Sequence, residues 1–225
     1  MQVTNNPKEA VELIAKEINS LLGKQENVTM AFPGGRSITK IFSALKKAEI
    51  PWNRIHIFMI DERLVPIENK DSNFRMVDKE LLSGLVDLCG LLPQNIHPFI
   101  MDEDMPDYGI KEYEINLRMI KEQYDIIFLG VGEDGHVGAL FPKLTIKDES
   151  DYFLITYDSP KPPKNRMTAS RKLLQKAKMA VVLFFGEDKR EAYENFKKSS
   201  IPVEKCPAKL AQKIKKLIVV TDLEE

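Results

Sequence analysis

Apolar positions along this chain follow two alternating rhythms. Val11, Ile14, Ala15, Ile18, Leu21 and Leu22 recur three and four residues apart, which predicts an amphipathic helix. Asn6-Pro7-Lys8-Glu9 starts it: Asn6 caps, Pro7 suits the first helical position, and Glu9 stands where a capping box places its acidic partner. Gly23 is its stop. Val28-Thr29-Met30-Ala31-Phe32 is a short continuous run, the pattern of a buried strand. It meets Pro33-Gly34-Gly35-Arg36-Ser37, and a helix follows from Ser37 with Ile38, Ile41, Phe42 and Leu45 on one face. Residues 54–60 read as a strand ending in Asp61-Glu62-Arg63, and Ser72-Asn73 opens a helix with Phe74, Val77, Leu81 and Leu82 apolar. Residues 91–107 read as loop with Ile96-His97-Pro98-Phe99 as an edge-strand candidate, before a helix marked by Ile110, Tyr113, Leu117 and Ile120.

The second half repeats the alternation. Asp125 opens an apolar run, 126–131, that ends in glycines. Residues 152–157 predict a strand, 158–166 a proline-stiffened loop, 170–176 a helix, and 180–185 a strand ending at Gly186. Residues 187–198 predict a helix, 201–208 a loop, 209–216 a basic helix and 217–220 a last strand. Strands alternating with helices, with no repeat or long linker, predict a single α/β domain over residues 1–225. Its sheet is largely parallel, Rossmann-like and flanked by helices.

Composition narrows the function. The chain has 225 residues, 43% hydrophobic and 30% charged, which suits a soluble globular protein with a sizeable core. A formal net charge of −1 provides no basic field for nucleic acid or an anionic membrane, so any bound anion must be held by local groups. Cys89 and Cys206 show no metal-ligand spacing and read as reduced thiols. The N-terminal stretch is interrupted by Lys8, Glu9, Glu12, Lys16 and Glu17, unlike a signal peptide, and no apolar run is long enough to span a bilayer. The expectation is a cytoplasmic protein.

Two glycine turns carry the candidate chemistry. In Gly130-Val131-Gly132-Glu133-Asp134-Gly135-His136, a strand stops in a turn and delivers a carboxylate and an imidazole to the carboxyl edge of the sheet. In open α/β sheets that edge binds ligands. Imidazole exchanges a proton near neutral pH, so Asp134 and His136 are catalytic candidates. The turn 33–37 joins a strand to a helix start, a geometry that aims free N–H groups and the positive end of the helix dipole at an anion. It matches neither the dinucleotide fingerprint nor the P-loop. Ser37 either caps this helix or donates its hydroxyl to a phosphate. Asp61, Glu62 and Arg63 follow a buried strand, where charges are costly unless they face a cleft or pair. Arg166 lies in a stiff basic loop suited to a phosphate, and Lys189 stands against a helix dipole, a hint that it faces an anion. His56 and His97 read as packed or surface residues.

Taken together, these motifs resemble the 6-phosphogluconolactonase family, within a group that includes glucosamine-6-phosphate isomerase/deaminase. The matching segments are Pro33-Gly34-Gly35-Arg36-Ser37, Asp61-Glu62-Arg63-Leu64-Val65-Pro66 with Ser72-Asn73, and residues 130–142. Ser159-Pro160-Lys161-Pro162-Pro163 with Arg166, and Gly186 with Lys189, complete the set. The resemblance implies hydrolysis of 6-phospho-D-glucono-1,5-lactone in the oxidative pentose phosphate pathway, with no organic cofactor and no catalytic metal. It implies His136 as general base, with Asp134 and Asp61 orienting that end of the site. Gly34, Gly35, Arg36 and Ser37 would cradle the phosphate, with Arg166 and Lys189 neutralising it. Arg63 would serve either the phosphate or the charge developing at the lactone carbonyl. The expected partner is the small sugar-phosphate lactone alone, without nucleic acid or membrane, on a monomer or a weak dimer.

Two departures from the family pattern, Gly138-Ala139 for Ala-Ser and Ile38 for proline, carry no chemistry. Two rival functions lack their sequence signatures. The deaminase motif continues after its histidine into Phe-Asn-Glu, whose glutamate helps to open the sugar ring; here Val137-Gly138-Ala139-Leu140 supplies no carboxylate. A sugar-phosphate sensor fused to a transcription factor would need a helix-turn-helix, and none is recognisable.

Overall fold

The computed structural model describes residues 1–142 and 150–223. In chain order its elements are β1 (Gln2–Thr4), α1 (Pro7–Leu22), β2 (Val28–Phe32), α2 (Arg36–Lys47), β3 (Ile55–Met59), β4 (Asp61–Arg63), α3 (Asn73–Val77) and α4 (Ser83–Cys89). There follow α5 (Ile110–Ile120), β5 (Ile126–Gly130), β6 (Phe153–Thr156), β7 (Arg166–Ala169), α6 (Arg171–Gln175), β8 (Met179–Phe184), α7 (Arg190–Lys197) and β9 (Lys216–Thr221). A π-helical stretch, Asp78–Leu82, joins α3 to α4.

Six strands form a sheet in the order β1-β9-β8-β5-β2-β3, and every pair in it is parallel. A parallel sheet covered on both faces needs strands that are apolar throughout, and the central strands show this. Along β5, Ile126 and Phe128 join one core while Ile127 and Leu129 join the other. Along β8, Met179, Val181 and Leu183 alternate in the same way with Ala180, Val182 and Phe184. The first core takes Ile14 and Ile18 from α1 and Ile38 and Phe42 from α2, with Phe32 stacked on Phe128 at 4.6 Å. The second takes Tyr113 and Leu117 from α5 and Phe196 from α7. Burying each such side chain contributes about 1.5–3 kcal/mol.

Strand order positions the site. The chain leaves β2 towards the β3 edge and leaves β5 towards β8 and β9, so the order reverses between the neighbours β2 and β5. Loops leaving the carboxyl ends of strands on either side of such a reversal splay apart and open a crevice. Those two loops are residues 33–37 and 131–137, the glycine turns singled out in the sequence. At the opposite end, Asp125 takes hydrogen bonds from the Thr29 amide at 3.1 Å and from Lys121 Nζ at 2.8 Å, tying β5 to β2 away from the crevice.

The structure departs from the sequence expectations in several places. Asp61–Arg63 is a strand, β4, in a second, antiparallel sheet of order β4-β7-β6. Arg166 opens β7 instead of lying in a loop, because its backbone pairs with both β4 and β6. Gly35, with φ 87, caps α2, so the helix begins at Arg36 and Ser37 is not its cap. The helix expected over residues 209–216 is a 3-10 helix, Pro207–Lys213, that ends before β9 takes Lys216, and Lys209 is buried with its ammonium on the Phe196 and Lys198 carbonyls. Before α7, Glu187–Lys189 forms one 3-10 turn. Of the edge candidate 96–99, only Ile96 bridges to Ile57. The three-residue strand β1 was too short and too polar to register in the pattern.

Candidate active site

A crevice of about 550 Å³ opens at the carboxyl ends of β2, β3, β5, β8 and β9. Every candidate residue lines it except Asp134: Gly34, Gly35, Arg36, Ser37, Asp61, Arg63, His136, Arg166 and Lys189. Asp134 stands behind the imidazole. Its Oδ1 lies 2.6 Å from His136 Nδ1 and also accepts the His136 amide at 3.1 Å. A carboxylate on Nδ1 makes that nitrogen the donor and leaves Nε2 with the free lone pair. Burial alone would raise the Asp134 carboxyl, but its bonds with His136 outweigh burial and hold it below the usual carboxylate range.

The turn that carries His136 is closed on itself. Gly132 N donates to His136 O at 2.9 Å, Gly135 N to Gly132 O at 3.0 Å, and Ala208 N to Gly135 O at 3.0 Å. The imidazole rests against Phe141, ring centres 4.4 Å apart, and the Arg166 guanidinium lies 5.7 Å from the same ring. Phe141 therefore touches both the imidazole and the buried Arg166 guanidinium. It was not among the candidate residues, because an aromatic before a proline carries no chemical signal in sequence.

The cations fall into two kinds. Arg166 is 5% exposed, and burial lowers its guanidinium pKa, opposed by the Asp61 carboxylate and reinforced by Arg63. Its Nε donates to Pro163 O at 3.1 Å and its Nη2 to Lys161 O at 3.0 Å, so it braces the proline loop and offers the rest of its fork elsewhere. Arg63 is the register partner of Arg166 across β4 and β7. Its Nη1 donates to Asp71 O, and its Nε is buried with no hydrogen-bond partner among the described residues. By contrast the Arg36 side chain is 95% exposed and lies 3.9 Å from Asp188 at the rim. Lys189 is largely enclosed, 3.5 Å from Asp188 and 4.0 Å from Glu133. At the start of α2 no side chain caps the helix, so its first amides have no side-chain partner there.

Asp61 is 5% exposed and takes hydrogen bonds from Asn73. Glu62 faces away from the crevice. Burial pushes its carboxyl up, against the Phe74, Asn73 and Arg63 amides that favour the ionised form. Sequence reasoning passed over Asn73, Lys40, Lys161, Asp188 and Asp222, which also line the crevice. Asn73 stood in a quoted motif but read only as a helix start. Among the described residues no group of three or more His, Cys, Asp or Glu is placed to hold a metal.

This fold and crevice define a parallel α/β protein whose crevice gathers two glycine turns, several cations and an imidazole. The chain belongs to the glucosamine-6-phosphate isomerase/6-phosphogluconolactonase family, whose model matches residues 4–219. It is 34% identical over 208 residues to a 6-phosphogluconolactonase of Borreliella burgdorferi, covering 92% of this chain and 88% of that protein. A 6-phosphogluconolactonase of Thermotoga maritima is 31% identical over 182 residues, 80% of this chain and 79% of the relative. The crystal structure of a Thermotoga maritima 6-phosphogluconolactonase superposes with a TM-score of 0.82 at 26% identity, covering 97% of this chain and 96% of that one. A monomeric glucosamine-6-phosphate deaminase superposes nearly as well, with a TM-score of 0.81, but at 16% identity over 98% and 97% of the two chains. The fold alone therefore does not separate the two chemistries.

Proposed function

We propose that this protein hydrolyses 6-phospho-D-glucono-1,5-lactone to 6-phospho-D-gluconate, as the oxidative pentose phosphate pathway requires, through one catalytic domain spanning the chain. The observation that carries the reading is the His136–Asp134 pair opening into the same crevice as Arg63, Arg166, Lys189 and the uncapped start of α2. A base and a phosphate cradle in one cavity suit a phosphorylated ester.

His136 Nε2 accepts a proton from water as the water oxygen attacks the lactone carbonyl. Asp134, ionised, holds the imidazole in the required tautomer and stabilises the imidazolium. The carbonyl oxygen gains negative charge, which N–H donors or a cation nearby would stabilise. The tetrahedral intermediate collapses with cleavage of the ring C–O bond, and the imidazolium returns the proton to the leaving ring oxygen. The new carboxylic acid ionises, so each turnover releases one proton. Asp61 orients the sugar at this end of the site.

Gly34, Gly35, Arg36 and Ser37 receive the phosphate, with Arg166 and Lys189 neutralising it. We assign Arg63 to the phosphate as well. Like charges directly opposite on neighbouring strands destabilise a sheet unless something lies between them, and a dianion shared by Arg63 and Arg166 relieves the repulsion. No step calls for a metal or an organic cofactor.

Deamination of glucosamine 6-phosphate is the second reading, and the fold permits it. Against it, Val137, Ala139 and Leu140 after the histidine are buried and apolar, with no carboxylate to assist ring opening. We extend the proposal to a cytoplasmic enzyme that works as a monomer or a weak dimer without nucleic acid or membrane. Proton release from freshly prepared lactone, measured against its spontaneous hydrolysis, tests the activity.

A further inference from the structure

We propose that Asn73 is a positioning residue for the Asp61 carboxylate, and that position 34 is glycine because Asn73 occupies the space a side chain there would need. This rests on the lactonase reading and names two parts of the site that the reading does not require in advance.

Asn73 begins α3, directly after its cap Ser72. Its Nδ2 donates to the Asp61 carbonyl oxygen at 2.9 Å and to Asp61 Oδ2 at 3.0 Å. Both partners are acceptors, so the amide must turn its nitrogen to them and its oxygen away. The two hydrogens of one NH₂ group thereby fix the backbone and the carboxylate of the same residue. Asp61 loses its rotational freedom before substrate arrives.

The Asn73 amide oxygen faces the phosphate turn. A Cβ built on Gly34 would lie 1.8 Å from Asn73 Oδ1 and 2.2 Å from its Cγ. Gly34 is absent from the glycines with positive φ, so its backbone conformation does not require glycine. The requirement at this position is space. Asn73 thus spans the two halves of the crevice, with Asp61 on one side of its amide and the phosphate turn on the other.

Asn73 is itself held from behind. Its backbone N–H donates to Glu62 Oε1 at 2.7 Å, Phe74 N to Glu62 Oε2 at 2.7 Å, and Ser72 Oγ to Glu62 Oε2 at 3.1 Å. Glu62 follows Asp61 in the chain. One carboxylate of β4 therefore anchors the start of α3, and α3 returns an amide to the other. Every one of these groups except Phe74 is buried, where a hydrogen-bonded network keeps a unique geometry.

The test is a mutant cycle with a pH profile. Asn73→Ala should lower kcat/KM by roughly 10- to 100-fold, mainly in kcat, the scale expected for a misaligned reacting centre. Gly34→Ala should cost a similar factor, because the new methyl group displaces the amide. The double variant should be no worse than Asn73→Ala alone, since the obstructing atoms have gone. Independent, multiplying losses would overturn the coupling. Asn73→Asp gives the signature that a scaffold role would lack. The introduced carboxyl lies about 3 Å from Asp61, so the pair retains one proton to higher pH and that proton stands in for the amide donor. Activity should fall as this proton leaves, a descending limb absent from wild type and from Asn73→Ala. A profile without that limb would overturn the positioning role. Thermal midpoints of the same cycle should show the Gly34–Asn73 coupling whatever the reaction, and wild-type lactone hydrolysis is the separate control on the reading beneath it.

Discussion

Arg63 and Arg166 face each other across the antiparallel pair β4 and β7, and both line the same crevice. Directly opposed cations repel, and Arg63 helps to lower the Arg166 pKa below its ordinary value. A phosphate between them, as proposed, would turn the repulsion into two charge-assisted contacts. Each such contact contributes about 1.5–3 kcal/mol. Arg166→Ala should then reduce kcat/KM on the phosphorylated lactone by roughly 10- to 150-fold, largely as raised KM. Unphosphorylated gluconolactone should lose far less. Arg166→Lys should recover only part, because lysine can neither fork onto the anion nor hold the Lys161 and Pro163 carbonyls together. Arg63→Ala should show the same preference for harming the phosphorylated substrate. Equal losses on both substrates would move that arginine off the phosphate.

Asp134→Asn removes the charge behind His136 and keeps the shape. An amide can present an N–H to Nδ1 and leave the proton on Nε2, the wrong tautomer for a base. A loss of about 100-fold in kcat is expected, with KM nearly unchanged. Steady-state kinetics on the folded variant check it, and unchanged kcat would remove Asp134 from the mechanism.

The other two histidines, His56 and His97, give a pH prediction for stability. His56 Nδ1 and His97 Nε2 lie 3.0 Å apart, and His97 stacks on Phe58 at 4.4 Å. Burial lowers the His97 pKa to about 4, with His56 adding to the shift. The unfolded chain binds a proton at this residue below about pH 6.5 and the folded chain does not until about pH 4. Stability is therefore full above the unfolded pKa and falls as pH drops through that window. Denaturant unfolding from pH 7 to pH 4 should show the fall, and His97→Gln should flatten it. A slope unaltered by the substitution would count against His97 as its source.

Much of this architecture was legible from patterning alone. The strands β2, β3, β5, β8 and β9 are apolar on both faces, and the glycine turns after β2 and β5 announced the crevice between them. What escaped had physical reasons. Two strands of the small sheet, Asp61–Arg63 and Arg166–Ala169, are charged or mixed: Asp61, Arg63 and Arg166 face the crevice while Glu62 and Thr168 are buried away from it, so no apolar alternation marks them. Lys209 lies in a segment whose composition resembles a basic helix, but its ammonium is spent on carbonyls, which only tertiary contacts reveal. The chemistry of Asn73 was hidden for a related reason: its partner Asp61 is twelve residues away, and a helix-start asparagine usually serves its own helix.

The rival chemistry has its own test. With buried Val137, Ala139 and Leu140 following His136, no detectable ammonia should form from glucosamine 6-phosphate. Turnover comparable to that of the lactone would reverse the choice between the two readings.

In the proposed mechanism His136, held by Asp134, activates water against a phosphorylated lactone. Proton release from freshly made 6-phospho-D-glucono-1,5-lactone, recorded above the spontaneous rate for wild type and for folded His136→Ala, addresses it most directly. The account predicts rapid release by wild type and a fall of roughly 100-fold or more in the variant. A wild-type rate no faster than background, or a variant as fast as wild type, would contradict it.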